Sequence, residues 1–177
     1  VKVLNIMTGG MFRDGICTTQ LELYKVFDMS EIEIHLAAVH NNEESMIDDF
    51  RKIGCNVIVM PDRKERVCSY IIELFKLIKK EKYDIIHVHG SSAIMSIELL
   101  VAKICGVKTR IAHSRNTKCE NIRADKMLRP LFSVLYTKAL ACGKEAGEWL
   151  FHKNDFIIVH NGKDLTKFKY SQNNREL

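Results

Sequence analysis

A chain of 177 residues, 46% hydrophobic and 28% charged, is long enough to bury one core and reads as a soluble globular domain. Its net charge of +5 is modest and its few aromatics are not interleaved with basic residues, which argues against a nucleic-acid platform. No apolar run approaches the ~20 residues that span a bilayer. The six cysteines form no C-x-x-C pair, and the start VKVLNIMTGG has neither a cationic stretch nor a cleavage site, so a cytoplasmic protein with reduced thiols is expected.

Taken in chain order, the first apolar run, VKVLNIM, ends in Thr8-Gly9-Gly10. Paired glycines there either make a tight strand-to-helix turn or let a ligand approach the backbone, with a helix starting near Ile16 offering its amino end to an anion. IEIHLAAV and NVIVMP follow as second and third strands, and Pro61 closes the third. Val67, Tyr70, Ile71, Leu74, Phe75 and Ile78 recur at three- and four-residue intervals and predict a helix with one buried stripe. DIIHVHG is the fourth strand, with His87 and His89 on one face and Ile86 and Val88 on the other. Ile97, Leu100, Val101 and Ile104 predict the next buried helical stripe, which Gly106 stops. KTRIAHS is the fifth strand, running out into His113-Ser114-Arg115-Asn116, and KALACG and FIIVHNG bring the strands to seven.

Beyond the seventh strand the polar stretch NGKDLTKFKYSQNNREL loses periodicity. Residues 1–160 are therefore expected to form one Rossmann-like domain, and 161–177 the start of a linker to a further domain. The alternation predicts an α/β fold, a doubly wound parallel sheet of about seven strands with helices on both faces. In such a sheet ligands bind beyond the carboxyl ends of the strands where strand order reverses. With the order 3-2-1-4-5, the polar ends of the first, fourth and fifth strands converge on one crevice.

Two nucleotide motifs are absent. The loop GGMFRDG is not G-x-G-x-x-G and the second strand ends in VHNN rather than an acid, and there is no G-x-x-x-x-G-K-[ST]. His87, His89 and His113 would make a plausible metal trio, but no neighbouring carboxylate supports one and no metal or other cofactor is assigned. A metal-dependent hydrolase would be the reading if zinc were bound. His87 is expected to be a core histidine bonded to backbone, while His89 and His113, at strand ends, are functional candidates. The basic clusters DRKER, KLIKKEK and KCENIRADKMLR are solvated helix faces or a surface for phosphate or anionic lipid. Within the last, Ile122 to Leu135 combines Met127, Leu128, Leu131, Phe132 and Leu135 with Arg123, Lys126 and Arg129, the composition of a helix that packs on the sheet or rests at an interface.

The ordered set of the Gly-Gly loop, YDIIHVHG, GVKTRIAHSRNT, LACGKEAGEWLF and FIIVHNGKDLTKF resembles the amino-terminal domain of retaining glycosyltransferases of the GT-B fold, in family 4 and its exopolysaccharide-assembly branch. The resemblance implies an acceptor-side half whose donor-binding partner, with its paired glutamates, is absent, so that this chain alone is inactive. It implies transfer of a hexose from a nucleoside diphosphate sugar to a saccharide, free or polyprenyl-linked, at or near the inner face of an anionic membrane. It gives His113 the catalytic role beside the donor sugar and makes Gly9, Gly10, His89, Gly90 and Ser114 donor-phosphate or sugar contacts. Arg115, Asn116, Asn161 and Gly162 become acceptor or linker positions. Lys163 stands where relatives carry an apolar residue, and Arg115 where close relatives often carry another histidine. A non-catalytic Rossmann-like module that binds a ligand or a protein is the alternative.

Overall fold

The computed structural model describes residues 1–152 and 155–162. Seven parallel strands alternate with six helices: β1 (Lys2–Met7), α1 (Gly15–Lys25), β2 (Glu33–Ala38), α2 (Glu44–Lys52), β3 (Asn56–Val59), α3 (Val67–Glu81), β4 (Ile85–Gly90), α4 (Ser96–Ile104), β5 (Thr109–Ser114), α5 (Ile122–Ser133), β6 (Lys138–Ala141), α6 (Lys144–Phe151) and β7 (Ile157–Ile158). A single 3-10 turn at Ala93–Met95 precedes α4. The strand order is β3-β2-β1-β4-β5-β6-β7, so the direction of winding reverses between β1 and β4, as the sequence predicts. Most of the predicted linker, residues 163–177, lies outside the described residues.

Alternation along the strands divides two cores. Leu4, Ile6, Ile86, Val88 and Ala112 join Tyr70, Leu74, Ile78, Leu99, Ala102, Phe132 and Leu150 on the face carrying α3, α4, α5 and α6. Met7, Leu36, Ala38 and Val57 meet Cys17, Leu21, Met46 and Phe50 from α1 and α2 on the other. Gly106, at φ +86°, closes α4 as expected, its N–H reaching Lys103 O while Val107 N reaches Ala102 O. All six cysteines are free thiols.

One predicted stripe is rotated. In α4 the buried residues are Ser96, Glu98, Leu99, Val101 and Ala102, whereas Leu100 and Ile104 are exposed, Ile104 by 62%. Glu98 is the reason. Its carboxylate, 0% exposed, receives Arg63 Nε at 2.5 Å, Arg63 Nη2 at 3.2 Å and the Tyr70 hydroxyl at 3.1 Å. A charge so paired tolerates burial, and it turns the helix about a third of a turn from its most apolar line. In α3, Tyr70, Leu74 and Ile78 are buried as predicted, while Val67 and Phe75 remain partly exposed.

Candidate functional site

The register that aligns the strand ends makes the site. Met7 pairs with His89 and His89 with His113, while Asn5 pairs with His87, so one row of side chains on the α1 side of the sheet runs across the reversal point. Thr8 ties the end of β1 to β4, its N–H reaching His89 O at 3.1 Å and its hydroxyl the same oxygen at 2.8 Å. The three imidazoles cluster tightly, with ring centroids 4.0 Å apart for His87–His89, 5.1 Å for His89–His113 and 5.3 Å for His87–His113.

Hydrogen bonds fix their tautomers. Arg115 Nη1 donates to His113 Nε2 at 3.3 Å, which leaves the His113 proton on Nδ1, facing His87 Nε2 at 3.1 Å. His87 is thus bonded to a side chain, and the expected backbone partner is replaced by His113. His89 Nε2 faces Asn5 Oδ1 at 3.3 Å, and its Nδ1, buried, has no partner among the described residues; neither has Arg115 Nη2. Burial, with the Arg115 charge second, pushes His87 down to about 3. Burial also drives His113 down to about 2, with His87 and Arg115 adding to it, and holds His89 well below the ordinary histidine range. All three rings are neutral at physiological pH.

One nitrogen from each of the three rings lies within 4.8 Å of the other two, a spacing that could admit a metal. Arg115 opposes it. While the guanidinium donates to Nε2, the inward Nδ1 of His113 carries a proton and has no lone pair for an ion, and the fixed positive charge repels a dication.

The two glycines differ in kind. Gly10, at φ +108°, is buried, and a Cβ there would lie 2.0 Å from His40 O, so this glycine is required by the close approach of the β1 and β2 loops. Gly9 is exposed, with nothing within 4 Å of a Cβ. The amino end of α1, expected to face an anion, already has one: Asp14 Oδ1 accepts from Ile16 N at 2.9 Å and Cys17 N at 2.7 Å. Gly90 sits under Thr8 Oγ1 and Met95 Sδ, and the buried Ser114 hydroxyl donates to Ala146 O at 2.6 Å, so both are committed to packing. Asn161 and Gly162 are exposed beyond β7.

A groove of about 710 Å³ opens on the opposite side of the strand ends, lined by Gly9 and Asn116, by Arg63 and Lys64 of the basic run DRKER and Lys118 of KCENIRADKMLR, and by residues the sequence did not single out, Ile94 among them. The candidate residues therefore fall into two neighbouring places, the His89–His113–Arg115 cluster on the α1 side and Gly9 and Asn116 in the groove. The walls are braced: Trp149 Nε1 holds Ser91 O at 2.9 Å, and Asp125 Oδ1 accepts from Ala93 N at 2.7 Å while its Oδ2 takes Arg129 Nε at 2.8 Å. Arg63 was hidden in the basic run DRKER, and Glu98, an acid within an apolar helix, was the signal that could have exposed it.

Residues 16–140 match the family described as "Glycosyl transferase 4-like". The chain is similar to the UDP-Gal:alpha-D-GlcNAc-diphosphoundecaprenol alpha-1,3-galactosyltransferase of Escherichia coli, 27% identical with 92% of this chain and 45% of that protein covered. It is also similar to the capsular polysaccharide biosynthesis glycosyltransferase CapH of Staphylococcus aureus, 24% identical over 98% of this chain and 51% of that protein. Among solved structures, Anabaena Alr3699/HepE in complex with UDP aligns with a TM-score of 0.72 at 10% identity, over 98% of this chain and 47% of that one. The chain spans about half the length of the curated relatives it matches.

Proposed function

Because the chain belongs to the glycosyl transferase 4-like family, we propose that it is the acceptor-side, amino-terminal half of a retaining glycosyltransferase of surface-polysaccharide synthesis. The enzyme moves a hexose from a nucleoside diphosphate sugar to a saccharide acceptor, the polyprenyl-linked kind included. Residues 1–160 supply one wall of the cleft, and the segment from Asn161 leads toward the donor-binding half. The observation that carries this reading is the row of His89, His113 and Arg115 at the reversal of strand order, with two buried polar atoms, His89 Nδ1 and Arg115 Nη2, left without partners. The E. coli relative is named for a diphosphoundecaprenol-linked acceptor and the Anabaena structure for UDP, and both chemistries suit this reading.

In the reaction the bond from the anomeric carbon to the diphosphate oxygen breaks, with the electron pair leaving on that oxygen. An acceptor hydroxyl bonds to the same face of the carbon, and its proton passes to the departing phosphate. The sugar becomes oxocarbenium-like, so the cleft must stabilise an anion on one side and hold a cationic ring on the other. His113, neutral, buried and with both ring nitrogens engaged by Arg115 and His87, anchors the end of β5 and holds the Arg115 guanidinium in place without adding a charge of its own that would oppose the oxocarbenium. The Arg115 guanidinium, rather than the capped end of α1, is the fixed positive charge on this side of the cleft.

Among the described residues no helix is long and apolar enough to cross a membrane. The exposed basic and apolar side of α5 offers a lipid-linked acceptor peripheral contact. The test of the function is transfer by the polypeptide encoded by the natural reading frame, with labelled nucleoside diphosphate sugars and prenyl diphosphate saccharides as substrates. Product with the anomeric configuration of the donor is expected from the two-domain protein and none from the 177-residue chain. An inverted product, or transfer by this chain alone, overturns the reading.

A further inference from the structure

We infer that the groove between the first turn of α3, the turn at Ala93–Met95 and the β5–α5 loop is a binding site for a prenyl diphosphate, with Lys64 and Lys118 as its anion anchors and Glu120 as an internal anion that the diphosphate displaces. The assignment rests on the proposed function and gives that acceptor a place and a set of contacts.

The groove is amphipathic in the manner of such a ligand. Its walls carry Arg63, Lys64 and Lys118 on one hand and Val67, Ile94 and Ile97 on the other. Arg63 is held in place by Glu98 and by Nη2 donating to Ile94 O at 3.3 Å, so it contributes a rigid donor edge while most of its charge is compensated. The uncompensated charge lies elsewhere. Lys118, exposed, has no ion-pair partner among the described residues. Lys64 Nζ reaches Glu120 Oε2 at 2.8 Å, joining the approach to α3 to the β5–α5 loop, with side chains 44% and 84% exposed. An exposed pair of this kind contributes about 0–1 kcal/mol, so it opens readily. A diphosphate brings more charge and more acceptor oxygens than one carboxylate and replaces Glu120 at Lys64 while also engaging Lys118.

Apolar residues decide between the two sources of a diphosphate. A nucleoside base would best be held by an aromatic face, and among the groove's lining residues there is no aromatic ring; the polar side chains there, Ser92, Asn116 and Asn121 among them, suit the saccharide or diphosphate as well as a base, so the aliphatic wall is what favours the prenyl source. Val67, Ile94 and Ile97 instead offer aliphatic surface, which suits the first carbons of a prenyl chain.

The braced walls mean that binding needs little reorganisation, and Trp149, the chain's one tryptophan, holds Ser91 in the groove wall, so its emission reports occupancy. The experiment titrates the 177-residue chain with farnesyl diphosphate below its micelle concentration, farnesol, inorganic pyrophosphate and UDP, followed by calorimetry and by Trp149 emission. Farnesyl diphosphate is expected to bind more tightly than each of the other three. Lys118→Glu and Lys64→Glu should each weaken it on the order of tenfold, while Glu120→Gln should tighten it several-fold. These positions are exposed, and unchanged melting temperatures separate lost binding from lost fold. Equal binding of farnesol and farnesyl diphosphate, insensitivity to all three variants, or UDP binding as tightly with the same sensitivities overturns the assignment. Transfer by the two-domain protein together with no prenyl diphosphate binding would remove this site and leave the proposed function standing. Binding without transfer would do the reverse.

Discussion

The three neutral imidazoles make the protein sensitive to mild acid in a way that can be worked out in advance. Burial, aided by Arg115, lowers His87 from 6.5 to about 3, and burial with its charged neighbours lowers His113 from 6.5 to about 2, while His89 is also lowered. The unfolded chain then binds protons below 6.5 that the folded chain refuses, so stability is full above that pH and falls as pH drops. Near pH 5 His87 and His113 each cost about 2 kcal/mol, together about 4 kcal/mol, a large part of the stability of a typical domain, and His89 acts in the same direction. The carboxylate of Asp62, held down to about 2 chiefly by its hydrogen bond to His40, loses its contribution only below the ordinary aspartate range, so it adds nothing to the loss between pH 7 and 5. Urea midpoints of the wild type and of His87→Gln, measured at about pH 7, 6 and 5, provide the assay. Removal of one titrating ring should reduce the acid slope by about 1.4 kcal/mol per pH unit. Parallel slopes for the two proteins would show that water reaches His87 freely and would refute the burial argument.

Three further outcomes follow from the same geometry. His113→Ala in the proposed two-domain enzyme should lower turnover ~100-fold or more, beyond the stability lost with a buried, hydrogen-bonded ring, and unchanged turnover with a collapsed melting temperature would make it a purely structural histidine. Gly10→Ala should cost more than about 2 kcal/mol in chemical denaturation, because the new Cβ meets His40 O in a backbone conformation that alanine avoids. A stable variant with weakened UDP-sugar affinity would instead assign Gly10 to the ligand. The wild-type chain should carry no stoichiometric zinc by elemental analysis, whereas Arg115→Ala, which frees His113 Nε2 to take the proton, should gain zinc affinity; zinc bound equally by both proteins would show that Arg115 does not set the tautomer.

The parts of this fold legible in the sequence are those governed by period and punctuation. Alternation in DIIHVHG puts His87 and His89 opposite Ile86 and Val88, and Gly106 and Pro61 mark where elements end, so seven strands and the reversal of order could be read directly. The parts that were not legible depend on charged groups that compensate each other across long separations. Glu98 is buried because Arg63, thirty-five residues earlier, folds onto it, and this one pair rotates α4 and makes a groove wall. Asp14 looks like a loop acid until its carboxylate is seen closing the end of α1 that an external anion was expected to occupy. Of the candidate site, the histidines were legible as strand ends, but their order of hydrogen bonds was not, because Arg115 alone decides which nitrogen of His113 carries the proton.

The basic helix α5 shows how the structure narrows an ambiguous composition. Of the apolar residues from Ile122 to Leu135, Phe132 and Leu135 enter the core with Leu128 packed against it, and Arg129 turns inward to Asp125. Met127, Leu131 and Val134 are left outside, 75%, 38% and 62% exposed, at intervals of four and three that align them along one side of the helix. Arg123 and Lys126 are exposed on the same helix. The other basic segment, KLIKKEK, ends α3, where Lys82 precedes the central strand β4, and α4 packs between α3 and α5, which separates the two segments. Two cations near an anionic surface contribute about 1 kcal/mol each, and the three apolar side chains must supply the rest, so attachment through α5 is expected to be weak and lost with salt. Sedimentation with phosphatidylglycerol and phosphatidylcholine vesicles at low and high salt should show binding only to the anionic vesicles at low salt. Met127→Ser with Val134→Ser should abolish it, and Lys79→Glu with Lys80→Glu should not. The reverse pattern, or no binding at all, would detach α5 from the membrane. Because Glu120 and Asn121 of the groove lead directly into Ile122, vesicle binding through α5 would bring the proposed diphosphate site close to the lipid headgroups, and its loss with the Met127→Ser, Val134→Ser pair would uncouple the two.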